Sequence, residues 1–247
     1  MSIKKITVLF LLFVVTILPI HNVYAGPPPG NIPTITLQYL QAQQQPDGGM
    51  PGLSGPSDPA TTARALLAFK AHGVNPIVLS STGGKSLIDF LIESYPEYIV
   101  DDNGLLFPGN AGLMLAALAT SDQIPAGLID SILATLQPDG SFSTAASKDF
   151  TTGIYTDFSQ ALVLLGLAGA KTPIPTESVD YLLNRQIQDG TWDNGFGSDP
   201  DTTAVVTIAL LSTGQVPLDH PAILKAMEYF HSAQLDNGGW RPAWDTD

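Results

Sequence analysis

The chain has 247 residues, 44% hydrophobic and 13% charged, with a formal net charge of −13 and no cysteine. This is enough chain to bury a substantial core in one domain. The missing cysteine excludes a disulfide framework, a lipidated cysteine anchor, a thiolate metal site and a cysteine nucleophile, and the acidic balance argues against nucleic acid or anionic lipid as partner.

The N-terminus reads as an export signal. Lys4 and Lys5 form a basic start, Ile6 to Ile20 is a greasy stretch of 15 residues, and Val23-Tyr24-Ala25 offers small residues where a signal peptidase needs them. Cleavage is expected after Ala25. The competing reading, an uncleaved membrane anchor, is disfavoured by the short apolar stretch and by Pro19. Removal of Lys4 and Lys5 would leave 8 basic against 23 acidic residues, a charge of −15. No second long apolar run free of charge and turn signals occurs, so the mature chain is expected to have no membrane span and to be secreted or extracytoplasmic. Gly26 to Pro33 (GPPPGNIP) forms a stiff, extended lead-in, and residues 34–247 form the repeat domain.

Turn pairs punctuate that domain at Asp47-Gly48, Asn103-Gly104, Asp139-Gly140, Asp189-Gly190 and Asn237-Gly238, with glycine-to-glycine gaps of 56, 36, 50 and 48. A spacing of this size predicts stacked helical units that cannot bury their faces alone. Each unit carries two kinds of helix. The first is amphipathic: Ile129, Ile132, Leu133 and Leu136 share one stripe, as do Val179, Leu182, Leu183 and Ile187. Thr34–Gln45, Ser86–Ser94 and Pro221–Gln234 behave alike. The second is apolar on most sides, over Thr61–Ala71, Ala111–Ala119, Ser159–Ala170 and Thr202–Ser212. A helix without a wet face belongs inside, so two concentric helical layers are expected. Short β pairings are allowed only in the loops.

One phrase recurs: Gln-x-x-Asp-Gly-x-Trp. Gln186–Trp192 matches in full, through Gln186, Asp189, Gly190 and Trp192. Gln44, Asp47 and Gly48 are followed by Met50; Gln234, Gly238 and Trp240 flank an Asn; Asp139 and Gly140 are followed by Phe142. Physically this is a lock at a helix end. The glycine turns the backbone, the acid closes the turn, the large apolar residue packs back on the outer helices, and the Gln amide can cap a neighbouring helix. The phrase resembles the QW repeats of squalene and terpene cyclases and the related prenyltransferase β-subunit repeats, from about Thr34 to Asp247. The resemblance implies an all-α fold, an α/α toroid of inner helices around a central cavity. About four and a half hairpins are present where six usually close such a ring, so the repeat domain is expected to be truncated at its C-terminus. The resemblance implies no single reaction, because related toroids also serve as cobalamin carriers, lyases and protein-interaction domains.

Chemistry would centre on Asp199-Pro200-Asp201-Thr202-Thr203-Ala204. This resembles the Asp-x-Asp-Asp-Thr-Ala motif of protonating isoprenoid cyclases, with Asp201 in the place of the acid, Asp199 before it and Thr202 where a third acid stands. The first repeat has Asp58-Pro59-Ala60-Thr61-Thr62-Ala63 at the equivalent place. Asp199 therefore reads as a helix cap, and Asp201 as a residue the fold does not require. The oxygens of Asp193, Asp199 and Asp201 could hold Ca²⁺, the one cofactor considered. The prenyltransferase zinc site needs a cysteine, and His72, His220 and His231 have no ligand spacing between them. The inner helices offer Phe69 and Phe158 but mainly Ala, Leu and Val, a poor lining for carbocations. The expected function is a non-catalytic toroid that binds a small molecule, a glycan or a protein. The alternatives are a protonating isoprenoid cyclase and a cobalamin-carrier-like or polysaccharide-acting toroid.

Overall fold

The computed structural model describes residues 32–75, 80–145, 157–195 and 197–241, with side chains from Leu37 onward. The export signal and most of the lead-in lie outside these residues, as do Asp245 and Asp247. Two kinds of helix alternate along the chain. The outer ones are α1 (Ile32–Ala42), α3 (Leu87–Tyr98), α5 (Leu128–Leu133), α7 (Thr176–Leu183) and α9 (Pro221–Ser232). The inner ones are α2 (Pro59–Ala71), α4 (Pro108–Ala119), α6 (Asp157–Gly169) and α8 (Pro200–Ser212). Among the described residues the only paired strands are the two-residue β1 (Trp192–Asp193) and β2 (Ser198–Asp199), with Trp192 opposite Asp199.

Burial separates the layers as the apolar pattern predicts. Residues 111–118 of α4, 160–167 of α6 and 202–210 of α8 are buried without a break, so these helices have no wet face. The outer helices bury one stripe each: Leu87, Ile88 and Leu91 on α3, Val179 and Leu182 on α7, Ala222, Ile223 and Ala226 on α9. The inner helices pack in chain order, α2 on α4, α4 on α6 and α6 on α8. Two glycines let α4 and α6 come close. A Cβ on Gly112 would lie 2.6 Å from the Leu162 carbonyl oxygen, and one on Gly166 would lie 2.5 Å from that of Gly112.

The boundaries differ from the sequence expectation for identifiable reasons. Pro59, Pro108, Pro200 and Pro221 occupy first-turn positions, where proline gives up no helical bond, so α2, α4 and α8 begin two or three residues early. Helix α3 follows a capping box between Ser86 and Asp89 and runs past Pro96 to Tyr98, beyond the expected end at Ser94. Helix α5 is only six residues long. Leu136, assigned to its stripe, instead pairs with Phe142 across the next turn. Ile187 lies beyond α7 and is exposed.

The connecting turn is a five-residue unit. In each copy the first amide donates to the fifth carbonyl and the fourth amide, a glycine's, donates back to the first carbonyl. It occurs at 45–49, 101–105, 137–141, 187–191 and 235–239. A further copy at 52–56 joins Gly52 N to Pro56 O at 2.8 Å and Gly55 N to Gly52 O at 3.1 Å, and another lies at 81–85, where Ser81 N donates to Lys85 O at 2.8 Å and Gly84 N to Ser81 O at 2.9 Å. It carries no acid and no aromatic residue, so the sequence pattern passes over it. Its glycine divides the long interval of 56 residues into 36 and 20.

Candidate functional site

The recurrent phrase is spent on structure. Asp189 Oδ1 accepts from Thr191 N at 3.0 Å and from Thr191 Oγ1 at 2.6 Å. Asp139 does the same with Ser141, and Asp47 with Gly49 N and Ser57 Oγ. Gln44, Gln186 and Gln234 each donate Nε2 to the carbonyl of their own turn glycine, Gly48, Gly190 and Gly238, at 3.0 Å. The Gln therefore locks its own turn first; Gln186 also reaches Ala222 O on α9 at 2.7 Å. Trp192 is fully buried and donates Nε1 to Leu182 O at the end of α7, while Trp240 donates to Phe230 O. These bonds hold the carboxyls of Asp139 and Asp189 below the usual range. For Asp139 the Ser141 hydroxyl is the main cause; at Asp189 desolvation opposes the Ser198 and Thr191 bonds but does not outweigh them.

Asp199 caps α8. Its Oδ2 accepts from Thr202 N at 2.7 Å and from Thr202 Oγ1 at 2.8 Å. Asp58 caps α2 identically through Thr61. The threonine in the motif's third acidic place thus completes the cap. Asp201 sits in the first turn of α8, and its carboxyl accepts no hydrogen bond among the described residues. Burial, with a contribution from the neighbouring Asp199, pushes it up to about 6. Tyr229 on α9 lies within electrostatic range of Asp189, Asp199 and Asp201, and its hydroxyl is raised, first by burial and then by these acids.

A second raised acid was missed in sequence. Asp157 opens α6 and is 1% exposed. It pairs through Oδ1 with Arg185 Nε, while its buried Oδ2 has no partner among the described residues. Burial pushes its carboxyl up to about 6, with Arg185 pulling the other way. Arg185 also lies over the Tyr181 ring, 5.3 Å from its centroid. The repeat explains how the two sites differ. Trp192 bonds Leu182 O where Trp240 bonds Phe230 O, so Tyr181 matches Tyr229 and Arg185 matches Ala233. Asp157 has a cation facing it, whereas the charged neighbour that bears on Asp201 is another acid, Asp199. Nothing in an isolated Thr156-Asp157-Phe158 announces burial, and its partner lies 28 residues away.

No protein-family model matches the chain. It is 29% identical over 121 residues to a squalene–hopene cyclase of Bradyrhizobium diazoefficiens, covering 43% of this chain and 17% of that protein. It is 25% identical over 230 residues to a drimenyl diphosphate synthase of Streptantibioticus cattleyicolor, covering 86% of this chain and 42% of that protein. The chain therefore spans less than half the length of these curated relatives. Among solved structures, a protein from Actinoplanes superposes with a TM-score of 0.63 at 17% identity, over 97% of this chain and 76% of that one. An ent-copalyl diphosphate synthase from Streptomyces platensis gives 0.54 at 18% identity, over 94% of this chain and 44% of that one. The chain has a terpene-cyclase-like, all-α, toroid-like fold.

Within this fold the three acids considered for Ca²⁺ have different neighbours. Asp193 Oδ1 accepts from Gly195 N and Gly197 N, both at 2.7 Å, and its charge bears on Asp157 and Arg185. Asp199 is engaged in its cap, and among the described residues Asp201 has Asp199 as its one charged neighbour of consequence. Among the described residues no three His, Asp or Glu side chains stand where they could hold a metal ion together. His72 ends α2, His220 caps α9 by accepting Ala222 N on Nδ1, and His231 lies in the last turn of α9. No helix among the described residues is long and apolar enough to cross a membrane.

Proposed function

We propose that this chain is an exported, terpene-cyclase-like toroid that binds a ligand or partner and does not cyclise isoprenoids. The supporting observation is the fate of the acidic motif. Asp199 is engaged by Thr202 as a helix cap, so among the described residues Asp201 is left beside a single carboxyl and with no hydrogen-bond donor. An acid that protonates an alkene acts from its protonated form, and the conjugate base it leaves needs stabilising neighbours. A carboxyl titrating at about 6 is protonated in only about a tenth of molecules at pH 7. Among the described residues no donor stands ready for the carboxylate that would form. Export, inferred from residues 1–25, would also remove the protein from cytoplasmic substrates. The first test is fractionation with N-terminal mass spectrometry, which should find a mature start at Gly26. A full-length protein in the cytoplasm would overturn export. A thermal-shift screen with squalene, farnesyl diphosphate, cobalamin and oligosaccharides then identifies the ligand class.

The second reading, a protonating cyclase with Asp201 as acid, is favoured by the raised carboxyl and by the resemblance to drimenyl diphosphate synthase along most of the chain. It requires cyclic products from squalene or polyprenyl diphosphates, formation that rises as pH falls through about 6, and loss of those products in Asp201→Asn. Finding all three would replace the binding reading.

A further inference from the structure

Three acids lie within electrostatic reach of one arginine, and one of the three is sealed from water. Arg185, just past the end of α7, pairs through Nε with Asp157 Oδ1 at the start of α6. The charge of Asp193 on β1 also bears on the guanidinium, and the guanidinium bears on Asp139 in the turn 137–141. Asp139 is bonded by the Ser141 amide and hydroxyl, and Asp193 by the amides of Gly195 and Gly197. The Asp157 side chain is 1% exposed, and its Oδ2 meets no donor among the described residues. A buried carboxylate with an unmet oxygen is costly to keep charged. A guanidinium that is itself 36% exposed and shared with two other acids offsets only part of that cost. Of the three acids, Asp157 is therefore the one that takes up a proton. The electrostatics agree: burial pushes Asp157 up to about 6 against the pull of Arg185, while the Ser141 bonds hold Asp139 below the usual range.

The pair is tied into the packing on both sides. Arg185 N donates to Leu182 O at 3.1 Å, and Trp192 Nε1 donates to the same oxygen at 2.7 Å. The arginine and the fully buried indole are thus fixed to one point on α7. Arg185 also lies over the Tyr181 ring, the other titratable group of α7 beside the pair. The Tyr181 hydroxyl is raised first by burial, with Arg185 opposing and Asp157 and Asp139 adding. Asp193 acts on Asp157 in both senses, its charge raising the carboxyl and its main-chain amide lowering it. From Asp193 the hairpin continues to Ser198–Asp199 and the start of α8.

We propose that Asp157 and Arg185 form a proton-operated latch between α6 and α7, tight while Asp157 carries a proton and loosened when it ionises. In an opened, hydrated first turn of α6 the carboxyl regains its ordinary value, so the packed state holds the proton more strongly. Opening is least below about pH 4 and grows as pH rises through about 6. The latch is independent of which ligand the toroid takes. Hydrogen exchange of the purified full-chain protein, corrected for intrinsic rates, reads opening at the start of α6 and the end of α7. Opening there should be about tenfold greater at pH 8 than at pH 5. Emission from Trp192, in a Trp240→Phe, Trp244→Phe background, should follow the same transition. Asp157→Asn should flatten both profiles at the closed level. Arg185→Gln should move the midpoint to higher pH, because the ionised form loses its partner. Asp201→Asn, which removes the other raised acid, should leave the wild-type profile in place. A flat wild-type profile overturns the latch, as does a transition that survives in Asp157→Asn or disappears in Asp201→Asn. Circular dichroism at pH 5 establishes folding. Should Asp157→Asn not fold, Arg185→Gln decides by itself, and an unmoved midpoint overturns the proposal.

Discussion

The residue scale turns on two acids whose ionisation the fold opposes. Asp201 is raised to about 6 by burial and by Asp199, above the ordinary value of an unfolded chain. The stability linked to its protonated form is therefore complete below about pH 4 and is lost as pH rises through about 6. Asp201→Asn cannot ionise. It is expected to be more stable than wild type at pH 8, by on the order of 1 kcal/mol once partial exposure is discounted, and indistinguishable at about pH 3. Urea denaturation at the two pH values measures this; an equal gain at both would mean that burial of charge is not the cause. Asp201 was legible in the sequence because Ala60 fills its place in the first repeat, so the fold does not ask for an acid there. Asp157 was not, because its character comes first from burial, and the Arg185 that opposes it lies across a helix junction.

Among the helices, α4 and α6 depend on glycine. Gly166→Ala would place a Cβ 2.5 Å from the Gly112 carbonyl oxygen. Backbone cannot yield as a flexible side chain does, so a cost of about 2 kcal/mol or more is expected. Gly169→Ala on the same helix meets its nearest neighbours at 3.7 Å, ordinary contact, and helix propensity should make it neutral or stabilising by up to about 1 kcal/mol. Chemical denaturation of the two variants separates packing from propensity; similar values for both would refute the close approach. The apolar pattern predicted that these helices lie inside, and Pro and Asp-Pro marked their starts to within a few residues. The pattern overran at α5 because Leu136 continues its stripe after the helix has ended, and the residue's burial is satisfied by pairing with Phe142 instead.

The whole molecule is a series of units held by nearest-neighbour junctions, so stability should vary along the series. Helix α6 is packed between α4 and α8, whereas α9 is covered on one side and shows Leu224 and Met227. Hydrogen exchange should accordingly be slowest in α6 and α8 and markedly faster in α9. Uniform protection across all the helices would contradict a series built from separable junctions.

Sequence alone determined the layers and the locks. Apolar periodicity distinguishes inner from outer helices because a helix must bury whatever face is apolar, and Gln-x-x-Asp-Gly-x-Trp encodes its own turn through bonds spanning at most a few residues. Tertiary structure decided the electrostatics. The raised carboxyls of Asp157 and Asp201 come first from desolvation, which the packing of the helical layers creates. Desolvation is not local in the chain, so no local pattern could carry it.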